Sequence, residues 1–96
     1  MNRSELVAAV FNHSRVNSTK SEIENIVNAT IDTIMESVRE DEDVTFVGFG
    51  TFSKSRRAAR MGRNPKTGES LQIPETTIPR FKPGSEFKKM IQESHH

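Results

Sequence analysis

Six cationic side chains, Lys54, Arg56, Arg57, Arg60, Arg63 and Lys66, fall in the stretch from residue 54 to residue 66, which holds no Asp or Glu. A run of one sign repels itself, and solubility is usually served by mixed charges. The chemistry such a run suits is neutralisation of a polyanion, nucleic acid phosphate above all. Arginine predominates in it, and a planar, weakly hydrated guanidinium suits the narrow, electronegative minor groove of a duplex. Pro65 stands near the end of the run, next to Asn64. A compact apolar residue on a basic segment is either a plain turn proline or a wedge that enters between base steps. The bias reaches beyond the run. Residues 51–96 carry ten cationic side chains against four carboxylates, and residues 1–50 carry four against nine, although the formal net charge is only +1. One half of the chain is built to face a polyanion.

Catalytic chemistry has little to work with. The chain has no Cys, Tyr or Trp. Two of its three histidines, His95 and His96, close the chain and read as a tag remnant; His13 reads as a helix-end or solvent-exposed residue. Glu22 and Glu24 have no His or Ser partner in the pattern. Gly48 and Gly50 do not precede a helix, so they lack the context of a phosphate-cradling loop. No enzyme, metal site or cofactor is expected. No stretch approaches the ~18 apolar residues of a membrane span, and the start lacks the apolar region of a signal peptide. The expectation is a soluble, cytoplasmic protein.

The elements that must carry the basic run follow from pattern. Asn2 with Glu5, and Thr19 with Glu22, have the spacing of capping boxes. The first should open a helix to about His13, with Leu6, Val7, Val10 and Phe11 on one face. The second should open a helix over about 19–40, because Ile23, Ile26, Val27, Thr30, Ile31, Ile34, Met35 and Val38 recur at spacings of three and four. Residues 12–18 read as the connection. Asp41-Glu42-Asp43 is unfavourable at a helix C-terminus and ends the second helix. Val44–Val47 and Thr51–Ser55 read as strands about a Gly48-Phe49-Gly50 turn. Glu69–Ile73 and Ile78–Lys82 read as two more, the last interrupted or at a sheet edge because Pro79 has no N–H. Pro65–Gly68 turns between them, and Pro83-Gly84 leads to a short final helix. The fold class expected is α+β: two N-terminal helices, an antiparallel sheet with a long β-ribbon arm, and a short C-terminal helix. The arm has no apolar face and cannot support itself in water.

Gly48-Phe49-Gly50-Thr51-Phe52, Arg57, Ala59-Arg60, the string Gly62-Arg63-Asn64-Pro65-Lys66-Thr67-Gly68, Ile73-Pro74, Pro79 and Phe81-Lys82-Pro83-Gly84 together resemble the HU family of bacterial histone-like proteins and its relative, integration host factor. The resemblance covers about residues 1–91. It implies a single domain over 1–96, with a helical dimerisation part at about 1–43, sheet and DNA-binding arm at about 44–83, and a C-terminal helix at about 84–93. It implies an intertwined homodimer, with Ile31, Ile34, Met35, Phe46, Phe49, Phe52 and Phe81 in core and interface; a heterodimer with a paralogue stays open. The partner implied is double-stranded DNA, with RNA left open on composition alone. Arg57, Arg60 and Arg63 would line the arm, with Asn64 and Lys66 at its tip and Pro65 as the intercalating wedge. Arg3, Lys82 and Lys88 would hold phosphates on the body; Arg56 and Arg80 are less direct matches. The implied role is architectural: minor-groove binding with little sequence specificity, DNA bending and compaction, and a nucleoid-associated, cytoplasmic location. The alternative is a sequence-specific bending factor of the integration host factor type. Ser85 departs from the lysine of many relatives, and the loop between the first two helices is about two residues longer.

Overall fold

The computed structural model describes residues 1–13 and 15–93. Ser14, within the connection read at 12–18, and the terminal His95-His96 pair lie outside the described residues. The chain divides into two compact units, one of residues Met1–Glu36 and one beginning at Ser37.

The first unit is built on two capped helices. In α1 (Arg3–Phe11), Asn2 accepts a hydrogen bond from the Glu5 backbone N–H at 2.9 Å, and the Glu5 carboxylate accepts from the Asn2 N–H at 3.3 Å. This satisfies two of the donors that a helix start leaves orphaned. The helix stops at Phe11, two residues before the expected end. Asn12 caps it, with its side-chain amide donating to the Ala8 carbonyl at 3.0 Å. His13 lies beyond the cap, and its Nδ1 accepts from the Arg15 N–H at 3.2 Å. In α2 (Lys20–Arg39), Thr19 supplies the cap: its hydroxyl accepts from the Glu22 N–H at 3.2 Å and donates to the Glu22 carboxylate at 2.7 Å. Val7 and Ile23 are the buried apolar side chains among the described residues. The rest of the α2 stripe is poorly covered, with Ile31 and Ile34 half-buried, Ile26 62% exposed and Met35 58% exposed.

The second unit holds the strands and the last helix. β1 (Val44–Phe46), β2 (Gly50–Arg57) and β5 (Thr76–Pro83) form an antiparallel sheet in the order β1-β2-β5. β5 is an edge strand, so Pro79 costs no central ladder bond. β3 (Arg60–Arg63) and β4 (Ser70–Ile73) pair as a separate two-stranded sheet. The arm is therefore a ribbon in two sections, with Ala58-Ala59 and Pro74-Glu75 between them. β2 runs two residues further and β5 starts two residues earlier than the sequence pattern suggests, because β2 and β5 pair with each other out to Arg57 and Thr76. Val47 leaves the first strand and sits in the turn, 99% exposed. Five phenylalanines provide the packing. Phe52 and Phe81 lie 4.7 Å apart by ring centroid, Phe49 is 5.1 Å from Phe81 and 5.5 Å from Phe87 of α3 (Ser85–Glu93), and Phe46 meets Phe52 edge-on. The rings pack on one another, as core side chains do. Gly50 is required here, since a Cβ would come within 2.6 Å of the Phe81 ring and of the Lys82 carbonyl.

The Glu22 carboxyl is held below its ordinary pKa, chiefly by the Thr19 hydroxyl and then by the Thr19 N–H. A carboxylate with a depressed folded-state pKa adds stability above its unfolded pKa and loses it as pH falls through the folded value. Thr19→Ala should cost about 1 kcal/mol at neutral pH. In urea titrations at pH 7 and pH 3, the gap between parent and variant should narrow in acid, and a gap that widens there would contradict this account of the cap.

Candidate nucleic-acid interface

Alternation along the strands sorts the cations. Residues directly opposite in a ladder share a face, and neighbours along a strand point to opposite faces. Phe52 pairs with Phe81, so Lys54 and Arg56 share the face of the phenylalanines. Ser53 pairs with Arg80 and Thr51 with Lys82, so these cations, with Arg57, share the other face. That outer face is mostly polar, with Ile78, opposite Ser55, its half-buried apolar member. Thr45 and Thr51 are hydrogen-bonded across it through their hydroxyls at 3.1 Å.

The two faces treat their cations differently. On the phenylalanine face the Lys54 ammonium donates to the carbonyl of Arg39, at the end of α2, at 2.6 Å and meets Asp41 at 3.1 Å. It caps the helix and offsets the acidic cluster there. The Arg56 guanidinium donates through Nε to Glu75 at 2.7 Å and makes a second, closer contact with the same carboxylate. On the outer face Arg57, Arg80 and Lys82 form no ion pair among the described residues, and all are exposed. Arg60, Arg63 and Lys66, further along the arm, are likewise exposed and without an ion pair.

The tip is a tight, internally bonded loop. The Asn64 N–H donates to the Glu69 carbonyl at 2.9 Å, and the Gly68 N–H to the Asn64 carbonyl at 2.8 Å. The Asn64 side chain accepts from the Lys66 N–H at 2.9 Å, an Asx turn. Gly68 has φ +75°, which glycine adopts without a steric cost. Pro65 is left exposed at the apex.

The remaining candidates are placed apart. Lys82 and Lys88 line one open concavity with Thr51, Gly84 and Ser85. Arg3 stands in the first unit, donates to the Asn28 side chain at 3.1 Å and lines an open concavity with Ser4, Lys20 and Ser21.

A family model described as bacterial DNA-binding protein matches residues 1–92. DNA-binding protein HU of Synechocystis sp. is 45% identical over 95 residues, which cover 95% of this chain and 95% of that protein. The chain belongs to the HU family of bacterial DNA-binding proteins. DNA-binding protein HU of Clostridium pasteurianum is 43% identical over 93 residues, 97% of this chain and 100% of that one. Among solved structures, an Anabaena HU–DNA cocrystal superposes with a TM-score of 0.83 at 43% identity, covering 95% of this chain and 97% of the other. As an HU-family member the chain is a DNA-binding protein rather than an enzyme. No described helix is long and apolar enough to cross a membrane.

Sequence reasoning places the arm cations correctly on a ribbon but does not divide them. The pairing of Lys54 with the end of α2, and of Arg56 with Glu75, was missed. The alternation Phe52-Lys54-Arg56 against Ser53-Ser55-Arg57 carried the signal for the division. The identity of the partners, 13 and 19 residues away, it did not carry.

Proposed function

We propose that the protein is an architectural DNA-binding homodimer that grips the minor groove with little sequence preference and bends the duplex with its arms. The observation that carries this reading is the arm itself: Arg57, Arg60, Arg63 and Lys66 are exposed and have no ion pair among the described residues, and the arm ends in an exposed Pro65 on a loop pre-shaped by Asn64 and Gly68. Like charges held together on a narrow ribbon are unfavourable in the free protein, and duplex phosphates relieve them while releasing condensed counterions. Within β3, Arg60 and Arg63 are three residues apart and so lie on opposite faces, which suits a ribbon flanked by two phosphate backbones. Arg57, Arg80 and Lys82 extend the same charge onto the outer face of the sheet. Arg3, Lys82 and Lys88 are assigned to phosphates on the body. Asn64 and Lys66 flank the wedge. Such a protein works in the nucleoid, within the cytoplasm.

The dimer is supported by what the single chain leaves uncovered. Ile26, Met35, Phe46, Val47 and Phe49 are all exposed, and burying a large apolar side chain is worth ~1.5–3 kcal/mol. The stripe through Ile31, Ile34 and Met35 in the first unit, and separately the edges of the Phe46, Phe49, Phe52 and Phe81 cluster in the second, are surfaces a second copy would cover. Ile31→Asp should abolish dimer and fold together. Sedimentation and circular dichroism check this, and a folded monomer of the parent chain at low concentration would contradict it.

The arm's two roles separate in a pair of variants. Pro65→Ala should reduce the bend, read by energy transfer between dyes at the duplex ends, and leave the salt dependence nearly unchanged. Arg63→Ala should flatten the log–log salt slope by about 0.9 and weaken all duplexes alike. A nicked duplex, cheaper to open, should bind more tightly than an intact one. A Pro65→Ala protein that bends DNA as strongly as the parent would reduce Pro65 to a turn residue, and one sequence preferred by several orders of magnitude would favour specific recognition.

A further inference from the structure

We infer that Arg56 and Glu75 brace the joint of the arm, as a positioning pair that holds the ribbon's direction and does not itself contact DNA. The inference rests on the reading of the arm as the DNA-binding element. The ladder between β2 and β5 ends at Arg57 and Thr76, and the ladder between β3 and β4 begins at Arg60 and Ile73. Ala58-Ala59 and Pro74-Glu75 lie between, outside any strand. Pro74 has no N–H to give to a ladder, and two alanines offer no polar side chain. The ribbon is weakest here, and a change of direction here swings everything beyond it.

Glu75 is part of this joint, and Arg56 belongs to the end of β2. Two guanidinium nitrogens of Arg56 converge on one Glu75 oxygen, which orients the guanidinium plane as a single contact would not. The pair thus ties the joint back to the longer sheet. Its face matters too. Arg56 lies with Lys54 on the face of Phe52, and both cations of that face are engaged within the protein; the cations of the opposite face have no ion pair among the described residues. A surface divided in this way assigns Arg57, Arg80 and Lys82 to phosphates, and Lys54 and Arg56 to the frame that carries them.

The side chains of Arg56 and Glu75 are 74% and 48% exposed, so the pair has the strength of a surface ion pair, about two- to fivefold in an equilibrium. That biases the joint without locking it. The rival is that Arg56 leaves Glu75 for a phosphate when DNA binds. The test compares Arg56→Gln, Glu75→Gln and the charge swap Arg56→Glu/Glu75→Arg with the parent. Amide exchange of the free protein is read at the ladder end beside the joint, at Arg56, Arg57, Thr76 and Thr77. Salt-dependent binding and dye-reported bending are read on a mixed-sequence duplex. Either single variant should speed exchange at this ladder end about two- to fivefold and broaden the bend distribution. The swap should restore both, and Arg56→Gln should keep the parent's salt slope. A slope flattened by about 0.9 in Arg56→Gln would make Arg56 a phosphate contact and overturn the brace. Ladder-end exchange unchanged in both single variants, or not rescued by the swap, would also overturn it. Arg63→Ala is the control: if it too leaves the slope unchanged, the reading of the arm has failed, whereas a flattened slope there with an unmoved joint condemns the brace alone.

Discussion

The antiparallel ladder between β2 and β5 fixes which cations meet each other and which meet solvent. Because side chains alternate, one residue of offset decides whether an arginine joins Phe52 and Phe81 or faces the other way. Arg56 and Arg57 are adjacent in sequence and fall on opposite sides of that division. One is neutralised by Glu75, and the other has no ion pair among the described residues. A register shift of β2 by one residue would exchange them, turning Phe52 away from Phe81 and setting serines in its place. The phenylalanine packing therefore does more than hold the sheet together. It pins the register that presents Arg57, Arg80 and Lys82 on one surface.

Beyond the joint the ribbon has no such packing to rely on. β3 and β4 pair through four residues each, and two strands alone are marginal in water. Local devices do what a core cannot. The Ile73 side chain, from opposite Arg60, reaches over Gly62, where a Cβ would come within 2.6 Å of its methyl group. Asn64 and Gly68 close the tip through backbone and side-chain hydrogen bonds. These hold the loop's shape without adding apolar surface. The charge that weakens the free arm is the charge by which DNA would order it. Elsewhere too, large apolar side chains on α2 and in the β1–β2 turn are left exposed.

The helix starts were legible in sequence because capping is local. Asn2 with Glu5, and Thr19 with Glu22, bond as their spacing suggests. The end of α1 was less so, since nothing in Asn12-His13 distinguishes a cap from one more turn until the Asn12 side chain is seen to fold back on Ala8. The ribbon and its tip could be read from composition and glycine placement, but its division could not, because Ala58-Ala59 is unremarkable until set opposite Pro74. The division of the cations is a pairwise, non-local fact. Lys54 looks in sequence like the first member of a DNA-binding run. Only the approach of β2 to the end of α2 shows that it caps a helix.

Binding should follow the cations that have no ion pair among the described residues, the outer-face set among them, and not the total positive charge. The direct measurement is the salt dependence of affinity for a mixed-sequence duplex, with Arg57, Arg80 and Lys82 all changed to Gln in one variant and Lys54 changed to Gln in another. If each outer-face cation neutralises one phosphate, the triple variant should flatten the log–log slope by about 2.7, while Lys54→Gln should keep the parent's slope and lose only stability. Equal flattening per charge removed in the two variants, or a triple variant with an unchanged slope, would contradict the account.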